Sequence, residues 1–190
     1  MVHLKIDGRM FCNMVINANN MLEEQKEIVN ALNVFPVPDG DTGTNMSMTF
    51  RSAVMEVKNY SGNSIGEVSK LVSRGALMGA RGNSGVILSQ ILRGMAKGFE
   101  HKSEVDAKEF GDALMEGANA AYKAVMKPTE GTILTVIRAA GESASKSEAA
   151  DIGGLMGDVC SHSLVILNKT PEMLPVLKKA KVVDAGGKAS

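Results

Sequence analysis

An all-α fold is predicted by three features of this chain. Apolar residues recur at spacings of three and four along most of its length. Asn20 with Glu23, Ser64 with Glu67 and Asp106 with Glu109 have the form of helix capping boxes. Only one short stretch, VHLKI at residues 2–6, alternates as a strand or extended arm would. About eight helices satisfy the pattern, joined by loops rich in Gly, Asp and Asn.

Taken in order, GRMFCNMVINANNMLEEQKEIVNAL (residues 8–32) carries Phe11, Met14, Val15 and Ala18 on one stripe and Leu22, Ile28, Val29 and Leu32 on another. The Asn20 capping pair predicts a break between two helices there. A third helix follows Thr44 and reaches Lys58. Ser64 opens the fourth, whose Ile65, Val68, Leu71, Val72, Ala76 and Leu77 share a face. The fifth starts at Ser84 and holds Leu88, Ile91, Leu92, Met95 and Phe99 at core spacing. Asp106 caps the sixth, which runs through Phe110, Leu114, Ala118, Ala121 and Val125. GTILTVIRAAGESA (131–144) and DIGGLMGDVCSHSLVILNKT (151–170) supply two more. Thr170 then reads as an N-cap with Pro171 at the first position of a short last helix.

The totals set bounds. At 190 residues the chain is the size of one domain. Apolar residues make up 44% and aromatics only 4%, so the core is aliphatic and draws on 13 Met. Lys plus Arg and Asp plus Glu are 21 each, a balance that argues against a nucleic-acid partner or an anionic membrane surface. No run reaches the ~18 apolar residues of a membrane span, and the N-terminus lacks the pattern of a secretory leader. Cys12 and Cys160 lack metal-ligand spacing and sit in apolar segments, which predicts buried free thiols in a reducing, cytoplasmic setting. The chain reads as soluble and unprocessed.

Between the helical segments lies NVFPVPDGDTGTNM, residues 33–46. Pro36 and Pro38 deny the approach helical geometry, and Gly40 and Gly43 let it bend. Asp39 and Asp41 repel one another unless a cation sits between them, and a hard ion such as Mg²⁺ suits that role; Asn33 and Asn45 offer amide oxygens. The same residue types also make a solvated turn, and DGD alone does not separate the two readings. An EF-hand is excluded: with Asp39 first, its sixth and twelfth positions hold Thr44 and Phe50 instead of Gly and Glu.

The residues after Asp41 favour a ligand. Thr42, Gly43, Thr44 and Asn45 place hydroxyls and free N–H groups at a helix start, where an anion is stabilised. GARGNSGVIL, residues 79–88, has the same character in Gly82, Asn83, Ser84 and Gly85, although Asn83 or Ser84 would equally serve as a plain N-cap. Arg81 beside them is suited to neutralise a terminal phosphate, and with Asp39 and Asp41 it forms the candidate catalytic set. KPTEGTIL (127–134) and VDAGG (183–187) are a third and a fourth loop of this kind. Neither a P-loop nor a Rossmann fingerprint is present, and the protein-kinase HRD and DFG segments are missing.

These four segments, in this order, resemble the nucleotide-binding domain of the bacterial fatty acid kinase catalytic subunit, itself related to the L subunit of dihydroxyacetone kinase. The resemblance spans nearly the whole chain. It implies an antiparallel eight-helix barrel that binds ATP or ADP at one end through two Mg²⁺ ions. Asp39 and Asp41 then correspond to metal-binding aspartates, and Asn33, one residue out of register, stands nearest to a third. Thr42 to Asn45 and Gly82 to Gly85 correspond to phosphate loops, Thr132 and Leu134 to a nucleotide-contacting segment, and Asp184 to a closing loop. The fatty acid kinase subunit continues into further domains, so residues 1–190 are expected to be one kinase domain, the N-terminal part of a longer chain, with any homodimer built through the rest.

The reaction so implied is phosphoryl transfer to the carboxylate of a fatty acid held by a separate carrier protein. Such a nucleophile, with a pKa of roughly 4 to 5 by analogy with Glu, is already ionised and needs no general base. His3, His101 and His162 accordingly lie outside the four loops. Two alternatives stand beside this one: a dihydroxyacetone-kinase-like subunit acting on a hydroxyl, and a Mg-nucleotide-binding module without catalysis.

Overall fold

The computed structural model describes residues 3–190. Among them are nine helices and one two-stranded sheet: β1 (Lys5–Asp7), α1 (Gly8–Ala31), α2 (Thr42–Val57), α3 (Ile65–Met78), α4 (Gly82–Gly98), β2 (Glu104–Asp106), α5 (Ala107–Ala124), α6 (Ile133–Lys146), α7 (Ile152–Met173), α8 (Pro175–Ala180) and α9 (Ala185–Ala189). The fold is all-α, as the periodicity predicts.

The alternating arm forms β1 from Lys5 onward, while Val2 lies outside the described residues. β1 pairs antiparallel with β2, setting Ile6 against Val105, and both side chains are fully buried. Each strand leads directly into a helix capped by its own last residue. The Asp7 carboxylate accepts the Met10 N–H at 2.8 Å, and Asp106 with Glu109 completes the predicted capping box of α5. The little sheet thus staples the starts of α1 and α5 together.

The predicted break at Asn20 does not occur: α1 runs unbroken for 24 residues. Its buried residues Val15, Leu22 and Val29 are seven apart, two helical turns each time, so the two stripes are one face. Ala18 and Ile28 fall off that face and are exposed. Glu23 does not reach back to cap Asn20; it accepts the Ser47 hydroxyl of α2 and pairs with Lys26 at 2.6 Å.

Each long helix runs antiparallel to the one before it. Glu23 meets Ser47 and Cys12 meets Val57 between α1 and α2; Arg74 meets Glu56 between α2 and α3; Ser143 and Ser147 meet Asp158 between α6 and α7. α4 and α5 approach almost backbone to backbone: a Cβ on Gly94 would lie 2.4 Å from the Glu116 carbonyl oxygen. Phe11, Phe99 and Phe110 stack in sequence at 5.5 and 5.7 Å between ring centroids, and around them the core is aliphatic.

Three further expectations are corrected. Leu77 is half exposed, on the solvent side of the last turn of α3, whose Gly75 and Ala76 stay buried. Cys160 is exposed, and Cys12 is only partly covered, its thiol pushed up by burial. Thr170 is not an N-cap, since α7 continues through Pro171 to Met173. Pro171 has no N–H to give Leu167, and the Thr170 hydroxyl supplies the missing donor to the Leu167 carbonyl at 2.7 Å. The helix breaks instead before Pro175, which takes the first position of α8.

Candidate functional site

Antiparallel succession sends the starts of α2, α4 and α6 to one end of the bundle, and these starts are three of the four loops singled out by sequence. The fourth, around Asp184, joins them because α9 folds back onto α1, α2 and α6.

The 33–46 loop is anchored to α1. Asn30 Oδ1 accepts the Thr44 N–H at 3.0 Å, and Asn30 Nδ2 donates to Thr44 Oγ1 at 3.0 Å. Gly43 lies so close to α1 that a Cβ there would be 2.2 Å from the Lys26 carbonyl oxygen. Gly40 has φ +67°, the left-handed turn that swings the chain from Asp39 to Asp41. Asn33 is buried, and its Nδ2 donates to Asp39 Oδ1 at 2.7 Å. It therefore orients the Asp39 carboxylate through its nitrogen. Asp41 begins α2 with its backbone only, and its carboxylate makes no capping bond.

The second loop packs directly on the first turn of α2. Gly82 has φ +57°, and a Cβ there would come within 2.3 Å of Asn45 Nδ2. Gly85 is held as tightly against Thr49. The Arg81 side chain is exposed, as are Asn83 and Gly82, while Ser84 is half-buried. Asp39, Asp41, residues 42–45, Arg81 and residues 82–85 are thus brought together.

The third and fourth loops form a second unit. Thr132 caps α6 by accepting the Leu134 N–H at 3.4 Å, and both residues are buried. Gly131, φ +81°, fits against Thr170, Met173 and Leu174 at the end of α7. Asp184 is 6% exposed and lies across the starts of two helices: Oδ2 accepts the Gly187 N–H of α9 at 2.7 Å, and the carboxylate also takes a hydrogen bond from the Ile133 backbone of α6. Burial pushes its pKa up to about 6, and the two N–H groups oppose that rise without cancelling it. Sequence reading missed Glu130, which receives Arg138 through two nitrogens at 2.7 and 2.9 Å and Thr135 Oγ1 at 2.7 Å. Burial raises Glu130, but the bonds from Arg138, Thr135 and Tyr122 together hold it below the ordinary carboxylate value.

Two open clefts, of about 610 and 500 Å³, include no residue of the four loops. The larger lies beside Lys70, Arg93 and Lys97, between the start of α3 and the end of α4. Its position marks the opposite end of the bundle, so the chemistry of the loops, and not cleft volume, locates the site.

Asp39 and Asp41 are carboxylates, the ligand type that a hard divalent cation takes, two residues apart on one loop. Among the described residues no group of three or more His, Cys, Asp or Glu gathers for a metal. Mg²⁺ suits two carboxylates because it keeps several waters and takes its remaining oxygens from phosphates.

The DAK2 domain family matches residues 36–190. The chain is 51% identical over 185 residues to Protein YloV of Bacillus subtilis, an alignment that covers 96% of this chain and 34% of YloV. Uncharacterized proteins of Staphylococcus saprophyticus and Staphylococcus epidermidis are 49% and 47% identical over 186 residues, with 97% of this chain and 34% of theirs covered. The chain spans about a third of the length of these curated relatives. No helix among the described residues is long and apolar enough to cross a membrane. With four Gly-rich loops at one end of an antiparallel bundle and a family match over most of its length, the chain belongs to the DAK2 domain family, that of the nucleotide-binding subunit of dihydroxyacetone kinase.

Proposed function

We propose that this domain binds ATP and ADP with Mg²⁺ and transfers the terminal phosphoryl group to the carboxylate of a fatty acid held by a separate carrier protein. The observation that carries the nucleotide part is the seating of the Gly82 turn on Asn45: two helix starts, one half-buried at Thr44 and Asn45 and one exposed at Gly82 and Asn83, converge beside two carboxylates and Arg81. Helix starts attract phosphate through unpaired N–H groups and the helix dipole, and two of them side by side suit a chain of phosphates. Asp39 and Asp41 would hold the metal, whose charge would offset that of the phosphates. Asn33 holds Asp39 in place through its nitrogen and would offer its amide oxygen as a third ligand.

The carboxyl acceptor rests on the resemblance of the Pro-containing loop, and on an acceptor chemistry that asks for no base from this chain. His101 follows the end of α4, remote from the loops, and His162 is exposed on α7. Positioning of the phosphates and metal supplies the catalysis.

Calorimetric titration with ADP, with and without Mg²⁺, tests the reading. Binding should depend on Mg²⁺ and be lost in Asp39→Ala. Binding that Asp39→Ala leaves intact at every Mg²⁺ concentration would remove the metal assignment. The acceptor is tested by incubating the full-length chain with ATP and a carrier loaded with fatty acid, and looking for a hydroxylamine-sensitive acyl phosphate.

A further inference from the structure

Hydroxyls inside helices ordinarily bond back to their own helix, three or four residues earlier. Ser69 and Ser89 are of this kind, donating to Gly66 and Val86. Three buried threonines differ. Thr49, Thr135 and Thr170 are 0%, 4% and 0% exposed, and each hydroxyl also accepts a backbone N–H from one of the Gly-rich loops. Thr49 Oγ1 donates to the Asn45 carbonyl at 2.7 Å and accepts the Arg81 N–H at 3.1 Å. Thr135 Oγ1 donates to Glu130 at 2.7 Å and accepts the Gly131 N–H at 2.9 Å. Thr170 Oγ1 donates to Leu167 at 2.7 Å and accepts the Asp184 N–H at 3.1 Å.

We propose that Thr49, Thr135 and Thr170 are positioning residues for the nucleotide site, each hydroxyl fixing the backbone of one phosphate-side or closing loop. The inference rests on the nucleotide reading above. A hydroxyl that donates to a fixed acceptor has its proton committed, so its lone pair points in one direction and the loop N–H must come to it. Each bond falls next to the residues that matter: Arg81 precedes Gly82, Gly131 precedes Thr132, and Asp184 is itself in the closing loop. Thr170 serves two loops at once, because its carbonyl is also the wall against which Gly131 fits. Removing one hydroxyl takes away the partner of a loop N–H, a buried one at Gly131 and Asp184 and a part-buried one at Arg81, and lets the loop drift from the phosphate position.

Valine has the shape of threonine without the hydroxyl, and serine keeps the hydroxyl. For Thr49→Val, Thr135→Val and Thr170→Val, amide hydrogen exchange without nucleotide should speed at least tenfold at Arg81, Gly131 and Asp184 respectively. Exchange in the interior of α5 should stay as in the parent. ADP affinity in the presence of Mg²⁺ should fall at least tenfold in each, and the serine variants should recover both properties. Should Thr170→Val fail to fold, Thr49→Val and Thr135→Val carry the same test. Unchanged loop exchange in the valine variants overturns the proposal, as does faster exchange with undiminished ADP affinity, or a loss that serine does not rescue. A parent chain that binds no ADP overturns the nucleotide reading and the positioning role with it.

Discussion

Asp184 gives the chain a pH dependence opposite to that of its other shifted carboxyl groups. Its native pKa is raised from 3.8 to about 6 by burial. The folded state therefore holds this proton more tightly than the unfolded state does. Its contribution is largest below pH 3.8, declines as pH rises toward about 6 and is constant above that. A gap of about two pH units corresponds to about 3 kcal/mol. With a urea slope of about 2 kcal/mol/M, that lowers the unfolding midpoint by about 1.5 M between acid and neutral pH. Asp7, Glu23, Glu109 and Glu130 are held below their ordinary values and act the other way, losing stabilisation as pH falls through their native pKa values. Asp184→Asn keeps an oxygen for the Gly187 N–H and removes the titration, and the four opposing groups cancel when the variant is compared with the parent. The assay is urea unfolding of both chains at intervals from about pH 4 to pH 7. The parent's advantage over the variant should shrink as pH rises toward about 6 and then level off. Parallel curves, or an advantage that grows, would refute the claim that burial dominates the Asp184 environment.

Other perturbations give separate readings. Gly94→Ala should lower the urea midpoint although alanine favours helix by about 1 kcal/mol: the new methyl meets backbone, 2.4 Å from the Glu116 oxygen and 2.7 Å from the Gly117 Cα, and overpacking of that kind costs about 1–3 kcal/mol. A midpoint equal to the parent's would mean that α4 and α5 separate freely. On the proposed reading, in which the exposed Arg81 side chain meets the terminal phosphate, Arg81→Ala should reduce phosphoryl transfer more than ADP affinity; equal loss of both, measured by turnover and calorimetry, would make it a general anchor.

The helices were legible wherever apolar spacing and a cap agreed. Ser64 and Asp106 accept the N–H of Glu67 and Glu109 as their sequence pattern predicts, because Ser64 ends a loop and Asp106 ends a strand, with no helix directly before either. Asn20 has the same local pattern but sits within a seven-residue apolar repeat that continues on both sides, and burial of that face outweighs the cap. Pro171 misled for a related reason. A proline inside a helix loses one donor, and here the preceding threonine replaces it, a compensation that needs both a hydroxyl and the rotamer that turns it back along the helix. β2 was illegible because three residues carry no periodicity, and only the pairing of Val105 with Ile6 defines it.

The loops were visible because glycine and aspartate are conspicuous between helices, but what places them was not. Thr49 stands among Met46, Ala53 and Val57 on the buried face of α2, where a threonine reads as one more β-branched core residue. Its only sequence clue is a hydroxyl where the pattern asks for a methyl, and that clue becomes informative when the acceptor and the loop N–H are located in space. A bundle with alternating helix direction places every second loop at one end whatever its composition, so topology alone gathers the motif loops but leaves their backbones free. The hydroxyls remove that freedom at Arg81, Gly131 and Asp184. Helix packing selects the end of the molecule at which a site can form, and a few satisfied buried polar atoms determine its shape.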